Sequence, residues 1–526
     1  MAKAEAATKD GSMGGFLGWV EKTGNRLPDP AFIFLYLIAA LVVVSILADL
    51  ASVGALHPTE KNEDGTAKLI AATSLLAPAN IAKLWGDMPT TFTHFHPLGY
   101  VLVVMMGAGV AERTGLFAAA MRSAVRGAPT ALLTPIVAFV AMMGNLAADA
   151  AYVVLIPLSA ILYAAAGRHP IAGITAAFAG VSGGFSANLL PGQLDALLFG
   201  ITEAAAELIL PTWDANLAGN WYFISAMLFV FLPVIWFVTD RIIEPKLGKF
   251  APETDAARRA TAEDKPLSAG EKKGLGRAGL AALAVVVLWG VFTLGPGTPL
   301  IDENAIGPAQ LTPFFRSLVA GFFVLFLAAG WAYGAAAGSI KTHRDVVKMM
   351  AAAMSDLGYY LILAFFAAHF VAMFNWSNLG LIFAVQGAGA IKASGLPMPI
   401  LLTLMVLLTA AVNLFVGSAS AKWALLAPVM VPMLMLLGVS PEATTAAYRV
   451  GDGATNIITP LMVYFPLILT FCQRWKADFG LGSLTAVMLP YSLWLLITGL
   501  ILTFVWITLG WPLGPGAPAS FQMPAG

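Results

Sequence analysis

The chain has 526 residues, of which 59% are hydrophobic and only 11% are charged. Soluble domains carry roughly 25% charged residues, so this composition excludes an ordinary soluble protein of this length. Apolar residues come in long blocks such as 31–47, 223–238 and 492–506. A block of about 18 apolar residues can cross the hydrocarbon core of a membrane as a helix. The chain is therefore predicted to be an all-α polytopic membrane protein.

Charge and cysteine content exclude further classes. Lysine plus arginine and aspartate plus glutamate both number 29, so the net charge indicates no nucleic-acid partner. The single cysteine, Cys472, excludes a disulfide framework.

The basic residues predict the orientation in the membrane. Residues 239–277 contain nine lysines and arginines, whereas 201–220 contain three acidic residues and no basic one. By the positive-inside rule the first loop is cytoplasmic and the second lies outside. Extending this alternation places the N-terminus in the cytoplasm and the C-terminus outside, which requires an odd number of crossings.

The apolar blocks predict nine transmembrane helices and two re-entrant helical hairpins. In chain order, the crossings lie near 30–50, 97–116, 170–200, 222–239, 277–296, 312–336, 349–374, 441–472 and 482–508. The stretches 129–166 and 398–437 each begin and end on one side by the charge pattern. Each is also interrupted midway, at 144–149 and 417–422. These two stretches are therefore predicted to be the hairpins.

The two hairpin stretches resemble each other. Tyr152 and Pro157 match Trp423 and Pro428 at a constant offset of 271 residues. The predicted topology gives the two stretches opposite orientations in the membrane. Inverted repeats of this kind are typical of secondary transporters, which place a binding site near the midplane between the repeats.

The crossing after each hairpin is interrupted as well. Segments 182–191 and 451–460 share a glycine-rich start, an asparagine and a final proline, and Asn188 matches Asn456 at an offset of 268. Broken helices free backbone polar groups, which are tolerated at membrane depth only where they line a cavity or bind a ligand. Glycines that merely allow close helix packing are the alternative. Four interruptions in two matched pairs favour a binding site.

Polar side chains within these segments are candidates for function, because charged groups are costly inside a membrane. The candidates are Asn145, Asp149, Asn188, Gln193, Asp195, Asn413, Ser418, Ser420, Lys422, Arg449, Asp452, Thr455 and Asn456.

The charged candidates suggest ion pairs or substrate contacts. Arg449 and Asp452 lie three residues apart on one predicted helix, so they are expected to pair with each other. The pair is either structural, or Arg449 holds a substrate carboxylate or sulfonyl group while Asp452 carries a proton or cation. Asp195 has no cation within five residues and either carries a proton or lies hydrated near the outer mouth. Lys422 is expected to be the counter-ion of Asp149.

The uncharged candidates leave two alternatives each. Asn188 and Asn456, with Thr455 and Ser186, form oxygen cages for Na⁺ or simply cap broken helices. Trp423 stacks on an aromatic substrate ring or packs within the protein.

Enzyme signatures are absent from the sequence. There is no His-Glu-x-x-His pair and no Gly-x-Ser-x-Gly at a plausible nucleophile elbow. Segment 450–453 superficially resembles an intramembrane aspartyl protease motif but lacks the expected preceding glycine and a matching Tyr-Asp pair. We predict a non-enzyme without a cofactor, in which H⁺ or Na⁺ is the coupling ion.

Three long motifs resemble the AbgT family of p-aminobenzoyl-glutamate transporters. They are SANLLPGQLD at 186–195, GSASAKW at 417–423 and YRVGDGATNIITP at 448–460. The resemblance runs from about residue 23 to 511 and is strongest to bacterial members described as sulfonamide-exporting pumps.

The resemblance implies a homodimer in the bacterial inner membrane, with a core domain and a dimerising frame. The frame comprises 30–128 and 201–397, with a cytoplasmic loop at 240–277, and the core comprises repeats 129–200 and 398–472. Residues 1–29 are a cytoplasmic N-terminal segment, and 473–526 contain the last helix and the outside C-terminus. By motif, the family's transport-path residues fall on Asp195, Asn413, Ser420, Trp423, Pro441, Arg449, Asp452 and Pro460.

These expectations combine into a function. The chain is expected to be an ion-gradient-driven antiporter that exports sulfonamide antimetabolites, conferring resistance, or moves p-aminobenzoyl-glutamate. Asp195, Asp452, Asn188, Asn456 and Thr455 are the candidates for ion coupling, with Na⁺ at Asn188 and Asn456. The partners are the small-molecule substrate, the lipid bilayer and a second copy of the chain. A sodium-coupled carboxylate importer of the same fold is the alternative, followed by an ion channel.

Overall fold

The computed structural model describes residues 28–62, 66–126, 128–147, 151–248, 250, 266–295, 297–305, 310–459, 461–462 and 464–522. Most of these residues are helical. The helices are α1 (Pro30–Leu50), α2 (Pro78–Gly86), α3 (Met88–Thr93), α4 (His96–Arg113), α5 (Leu116–Arg126), α6 (Leu133–Met143), α7 (Ile156–Ala165), α8 (Pro170–Phe178), α9 (Gln193–Ala206), α10 (Trp221–Phe237), α11 (Glu244–Leu247), α12 (Ala269–Thr293), α13 (Thr312–Ala337), α14 (His343–Asp356), α15 (Gly358–Trp376), α16 (Leu379–Ala393), α17 (Met398–Asn413), α18 (Ala419–Met435), α19 (Pro441–Asn456), α20 (Phe465–Trp475) and α21 (Leu481–Thr508).

Short irregular segments complete the architecture. Strands β1 (Gly54–Lys61) and β2 (Ala67–Ala71) form an antiparallel hairpin with Gly54 opposite Ala71, a small exception to the all-helical prediction. Turns of 3₁₀-helix lie at Thr130–Leu132 and Gly144–Ala147. Segments of π-helix lie at Ala151–Leu155, Ala179–Gly183 and Val238–Ile243.

Six helices of the described chain are long and apolar enough to cross a membrane, or eight spans if each of two bent pairs is one span. The six are Ala31–Leu50, Trp221–Leu247, Ala269–Thr293, Thr312–Ala337, Gly358–Trp376 and Leu481–Thr508. Each coincides with a predicted crossing, although the crossing predicted at 349–374 begins later because the polar α14 precedes it. Exposed leucines on α12, such as Leu280 and Leu283, suit a helix that faces lipid. The total of nine spans and two hairpins stays a prediction.

The bent pairs depart from straight crossings. Pro97–Arg113 and Leu116–Arg126 meet at 60°, so the crossing predicted at 97–116 is the first part of a longer bent element. Leu379–Ala393 and Met398–Asn413 meet at 119°. No crossing was predicted at α16, because its glycines and Gln386 dilute the apolar pattern.

In the first repeat, α6 and α7 flank the broken crossing that begins with α8. A Cβ placed on Gly180 would lie 2.5 Å from that of Ala141, and Asn145 donates to the carbonyl of Gly184, so α6 runs parallel to α8 and the π-segment after it. Helix α7 leads through residues 166–169 into α8 and packs against it in the opposite direction. The chain therefore reverses between α6 and α7, as a hairpin requires.

The second repeat has the same arrangement around α19. A Cβ on Gly451 would overlap the carbonyl oxygen of Val406, and Asn413 donates to Thr455, so α17 runs parallel to α19. Helix α18 runs back, with the hydroxyl of Tyr448 donating to the carbonyl of Ala419 at 2.6 Å. The chain again reverses in the short break before α18.

The two repeats meet at a pair of matched glycines. A Cβ on Gly453 would lie 2.8 Å from the carbonyl oxygen of Gly183, which precedes it by 270 residues. Only a residue without a side chain allows the backbones to approach this closely. The broken helices of both repeats therefore cross in direct contact.

The last described residues form a tail against this core. The N–H of Phe521 donates to the carbonyl of Gly438 at 2.7 Å, and that of Ser440 donates to Ala519 at 3.0 Å. The N–H of Phe223 donates to the carbonyl of Leu513 at 3.0 Å. The tail thus connects the start of α19 to the start of α10.

Candidate functional site

The structure gathers most of the predicted site residues around the two broken helices. Asp195, Asn188, Asn413, Trp423, Pro441, Arg449, Asp452, Thr455 and Asn456 are buried, and Ser420 is half-buried. Pro460 and Asp149 lie outside the described residues.

Arg449 and Asp195 form an ion pair that joins the repeats. Arg449 Nη2 of α19 donates to Asp195 Oδ1, at the start of α9, over 2.6 Å. The second carboxylate oxygen accepts the N–H of Gly192 at 2.7 Å. The arginine is only 1% exposed. The predicted pair between Arg449 and Asp452 is therefore wrong, because each of these side chains has its counter-ion on another helix.

Asp452 pairs instead with Lys422 of α18. Their Nζ–Oδ1 distance is 2.5 Å, and the side chains of Lys422 and Asp452 are 0% and 2% exposed. The ammonium also donates to Asn413 Oδ1. Lys422 is thus satisfied by Asp452 and Asn413 among the described residues, and its predicted partner Asp149 is not among them.

Asn413 organises the end of α19. Its Nδ2 lies 2.8 Å from the carbonyl oxygen of Asp452, 2.8 Å from Thr455 Oγ1 and 2.9 Å from Asn456 Oδ1, so its two hydrogens are shared among three acceptors. The oxygens of Thr455 and Asn456 therefore accept from an amide here, where the sequence left a cation cage and a cap of the broken helix as alternatives. Asn188 has different partners: its Nδ2 donates to Met142 O, and its Oδ1 accepts from Leu190, both at 3.3 Å.

Trp423 is fully buried between the repeats. Its ring lies 4.4 Å from that of Tyr448, and its Nε1 donates to Thr202 Oγ1 at 3.0 Å and to Leu198 O at 3.2 Å. In this arrangement the indole packs within the protein, the second of the two predicted alternatives. Tyr448 and Thr202 were missed by the sequence analysis. Thr202 lies seven residues after Asp195, on the same face of α9, and this spacing is the one signal in the sequence that could have identified it.

A narrow cavity opens beside the Arg449–Asp195 pair, in the break between the π-segment Ala179–Gly183 and α9. Its polar lining comprises Asn145, Ser186, Asn188, Gln193, Asp195 and Arg449. Four buried polar atoms in this lining have no hydrogen-bond partner in the described part of the chain: Asn145 Oδ1, Ser186 Oγ, Gln193 Oε1 and Arg449 Nε. Such atoms cost roughly 1–3 kcal/mol each when left unsatisfied, so the lining is suited to a polar ligand. Within the described residues, no group of three His, Cys, Asp or Glu side chains could hold a metal ion.

Comparison with known proteins gives consistent matches along the chain. A family model described as "AbgT putative transporter family" matches residues 15–521. The p-aminobenzoyl-glutamate transport protein of Escherichia coli (strain K12) is 34% identical over 503 residues, 96% of each chain.

Two solved structures are also similar. The YdaH transporter of Alcanivorax borkumensis, described as having an unusual topology, is 41% identical with a TM-score of 0.85, covering 93% of this chain and 100% of its own. MtrF of Neisseria gonorrhoeae, described as illuminating a class of antimetabolite efflux pumps, is 41% identical with a TM-score of 0.89, covering 96% and 100%.

Proposed function

Because the chain belongs to the AbgT transporter family, we propose that it is a secondary active transporter of p-aminobenzoyl-glutamate and sulfonamide-type antimetabolites, driven by an ion gradient. Membership makes the chain a membrane transporter and not an enzyme, as the sequence predicted. The p-aminobenzoyl-glutamate substrate comes from the E. coli relative and the antimetabolite class from MtrF, whereas sulfonamides as its members come from the motif resemblance.

The observation that supports this proposal most strongly is the pair of buried ion pairs on α19. Arg449 and Asp452 lie one helical turn apart, yet their partners, Asp195 and Lys422, come from two other helices. A substrate carboxylate or sulfonyl group would compete with Asp195 for the guanidinium, which matches such groups with two donors. The displaced Asp195 carboxylate would then need a proton or another cation, because an unpaired buried charge is costly. Substrate binding and ion binding are coupled in this way.

The remaining predicted residues complete the proposed path. Asn413 holds the Lys422–Asp452 pair, and Trp423 connects α18 to α9. Ser420, Pro441 and Pro460 are included from the family resemblance. Asn188, Thr455 and Asn456 remain candidates for ion coupling.

We further propose a homodimer in the bacterial inner membrane, with a cytoplasmic N-terminus and an outside C-terminus. The basic loop 239–277 supports this orientation. Transport would move the repeat core against the frame, because a site between inverted repeats can open to either side.

The test is transport by purified protein in liposomes. Labelled p-aminobenzoyl-glutamate and a labelled sulfonamide are followed under a pH gradient and, separately, under a sodium gradient. Accumulation is expected in wild type and in Asp214→Asn, whose carboxylate lies on the surface beside Arg316, but not in Asp195→Asn. Dependence on the pH gradient would identify H⁺ as the coupling ion, and dependence on the sodium gradient would identify Na⁺.

Two results would contradict the proposal. Gradient-driven accumulation of neither solute would show that the substrate class is wrong. Ionic current that is independent of substrate would indicate a channel.

A further inference from the structure

The two repeats differ at one pair of matched asparagines. Asn145 and Asn413 are each followed by leucine at the end of the first hairpin arm, 268 residues apart. In the second repeat, Asn413 Oδ1 accepts a hydrogen bond from the ammonium of Lys422. At the 271-residue offset of the hairpins, the counterpart of this lysine is Ala151. The first repeat therefore has the asparagine without the tethered cation.

The oxygen of Asn145 does not stand alone. It lines the narrow cavity together with Ser186 Oγ and Gln193 Oε1, and none of the three has a hydrogen-bond partner among the described residues. Asn145 and Ser186 are 8% and 4% exposed. Three buried oxygens without hydrogen-bond partners, on residues that line one small space, are potential ligands for a hard cation.

We propose that the first repeat binds a monovalent cation, Na⁺ by its chemistry, through Asn145, Ser186 and Gln193, where the second repeat holds the Lys422 ammonium. The three ligands are neutral, and the nearby Asp195 is already neutralised by Arg449 at 2.6 Å. A divalent ion would lack the carboxylates that it prefers. The break after the π-segment also presents a helix C-terminus, whose dipole favours a cation.

This site differs from the cage predicted from Asn188 and Asn456. The side-chain oxygens of those two asparagines already accept hydrogen bonds, from Leu190 and Asn413. Arg449 lines the same cavity, and its Nε has no partner in the described chain, so it suits an anion such as a substrate carboxylate next to the cation. The role of the cation beside a bound substrate rests on the proposed function. Binding of the cation itself does not.

The experiment is equilibrium binding of ²²Na⁺ to the purified full-length protein in detergent, without gradient or substrate, with choline as the competing control ion. Wild type should bind Na⁺ saturably. Ser186→Ala and Gln193→Leu should each weaken binding about tenfold or more, since each removes one ligand of a charged group. Ser182→Ala is the matched control, because this serine lies on the same broken helix but contacts the sulfur of Met462. It should bind as wild type does.

Folding is checked for every variant by melting temperature and size-exclusion profile, and the two ligand variants provide independent tests. Absence of saturable Na⁺ binding in wild type would overturn the site. Unchanged binding in both ligand variants would do the same, as would an equal loss in Ser182→Ala. Na⁺ binding without gradient-driven flux would support the site and contradict the proposed function. Gradient-driven flux without Na⁺ binding would support the proposed function and contradict the site.

Discussion

Removal of the Lys422 ammonium should destabilise the protein more than removal of any exposed lysine charge. In Lys422→Met, Asp452 keeps a buried carboxylate without its counter-ion, and Asn413 Oδ1 loses its donor. At 2.5 Å and an effective dielectric constant of about 20, the pair attracts by roughly 7 kcal/mol, and desolvation of the two ions offsets much of this. Removal of one partner of a buried pair typically costs about 3–5 kcal/mol.

The assay is thermal unfolding of the purified protein, followed by tryptophan fluorescence. An unfolding entropy of about 2.1 cal/mol/K per residue gives roughly 1.1 kcal/mol/K for 526 residues, so Lys422→Met should melt about 3–5 °C lower. The double variant Lys422→Met/Asp452→Asn should recover more than half of this loss, because it contains neither charge. The exposed Lys392→Met is the control and should stay within about 0.5 kcal/mol of wild type.

Two outcomes would refute this reasoning. If Lys422→Met melts like wild type, the ammonium is not needed to balance Asp452. If the double variant melts as low as the single one, the loss comes from packing of the lysine stem and not from the unpaired charge.

Three further predictions concern close contacts and ion pairs. Gly453→Ala should lower both transport and melting temperature, because its methyl group would lie 2.8 Å from a backbone carbonyl of the first repeat. Gly389→Ala, in open space, is the control, and equal behaviour of the two variants would contradict the close crossing. Trp423→Phe should lower the free energy of unfolding by about 1 kcal/mol, since it keeps an aromatic ring but loses the hydrogen-bond donor, and Trp423→Ala should lower it by about 3–5 kcal/mol. Equal losses in the two variants would contradict this prediction. Arg168→Ala should lower the melting temperature more than Arg316→Ala. The Arg168 side chain is 17% exposed and pairs with two carboxylates, whereas that of Arg316 is 60% exposed and pairs with one. A larger loss in Arg316→Ala would refute the argument from burial.

The sequence predicts the long membrane helices well because their signal is local. Residues 30–50 and 482–508 are continuous apolar blocks, and α1 and α21 occupy them almost to the residue. Elements that mix apolar residues with small and polar ones were not predicted. The hairpin β1–β2 lies between predicted crossings, and α16 carries too many small and polar residues to stand out. The matched breaks of the two repeats were detectable because glycine, asparagine and proline recur at nearly constant offsets.

The identities of the site residues were predictable, but their partners were not. Burial of a charge in an apolar segment indicates Arg449 and Asp452, and the spacing of three residues suggests that they pair. The actual partner of Arg449 lies 254 residues earlier in the chain, on α9. Only the fold brings that residue into reach. Ser186, which lines the cavity, shows the same limit, because the lack of a partner for its hydroxyl is visible only when its surroundings are known.

The tail at the end of the described chain has a consequence for biosynthesis. Residues 512–522 supply backbone acceptors and donors to Gly438, Ser440 and Phe223, and they are translated after α21. Helix α19 carries Arg449 and Asp452 of the two ion pairs. The start of this helix therefore lacks these backbone partners until the ribosome has passed every helix of the core. Completion of the contacts around the start of α19 is a late event of synthesis. A ribosome that stalls between α21 and the tail would leave a chain with all its described helices but without the backbone contacts at the start of α19.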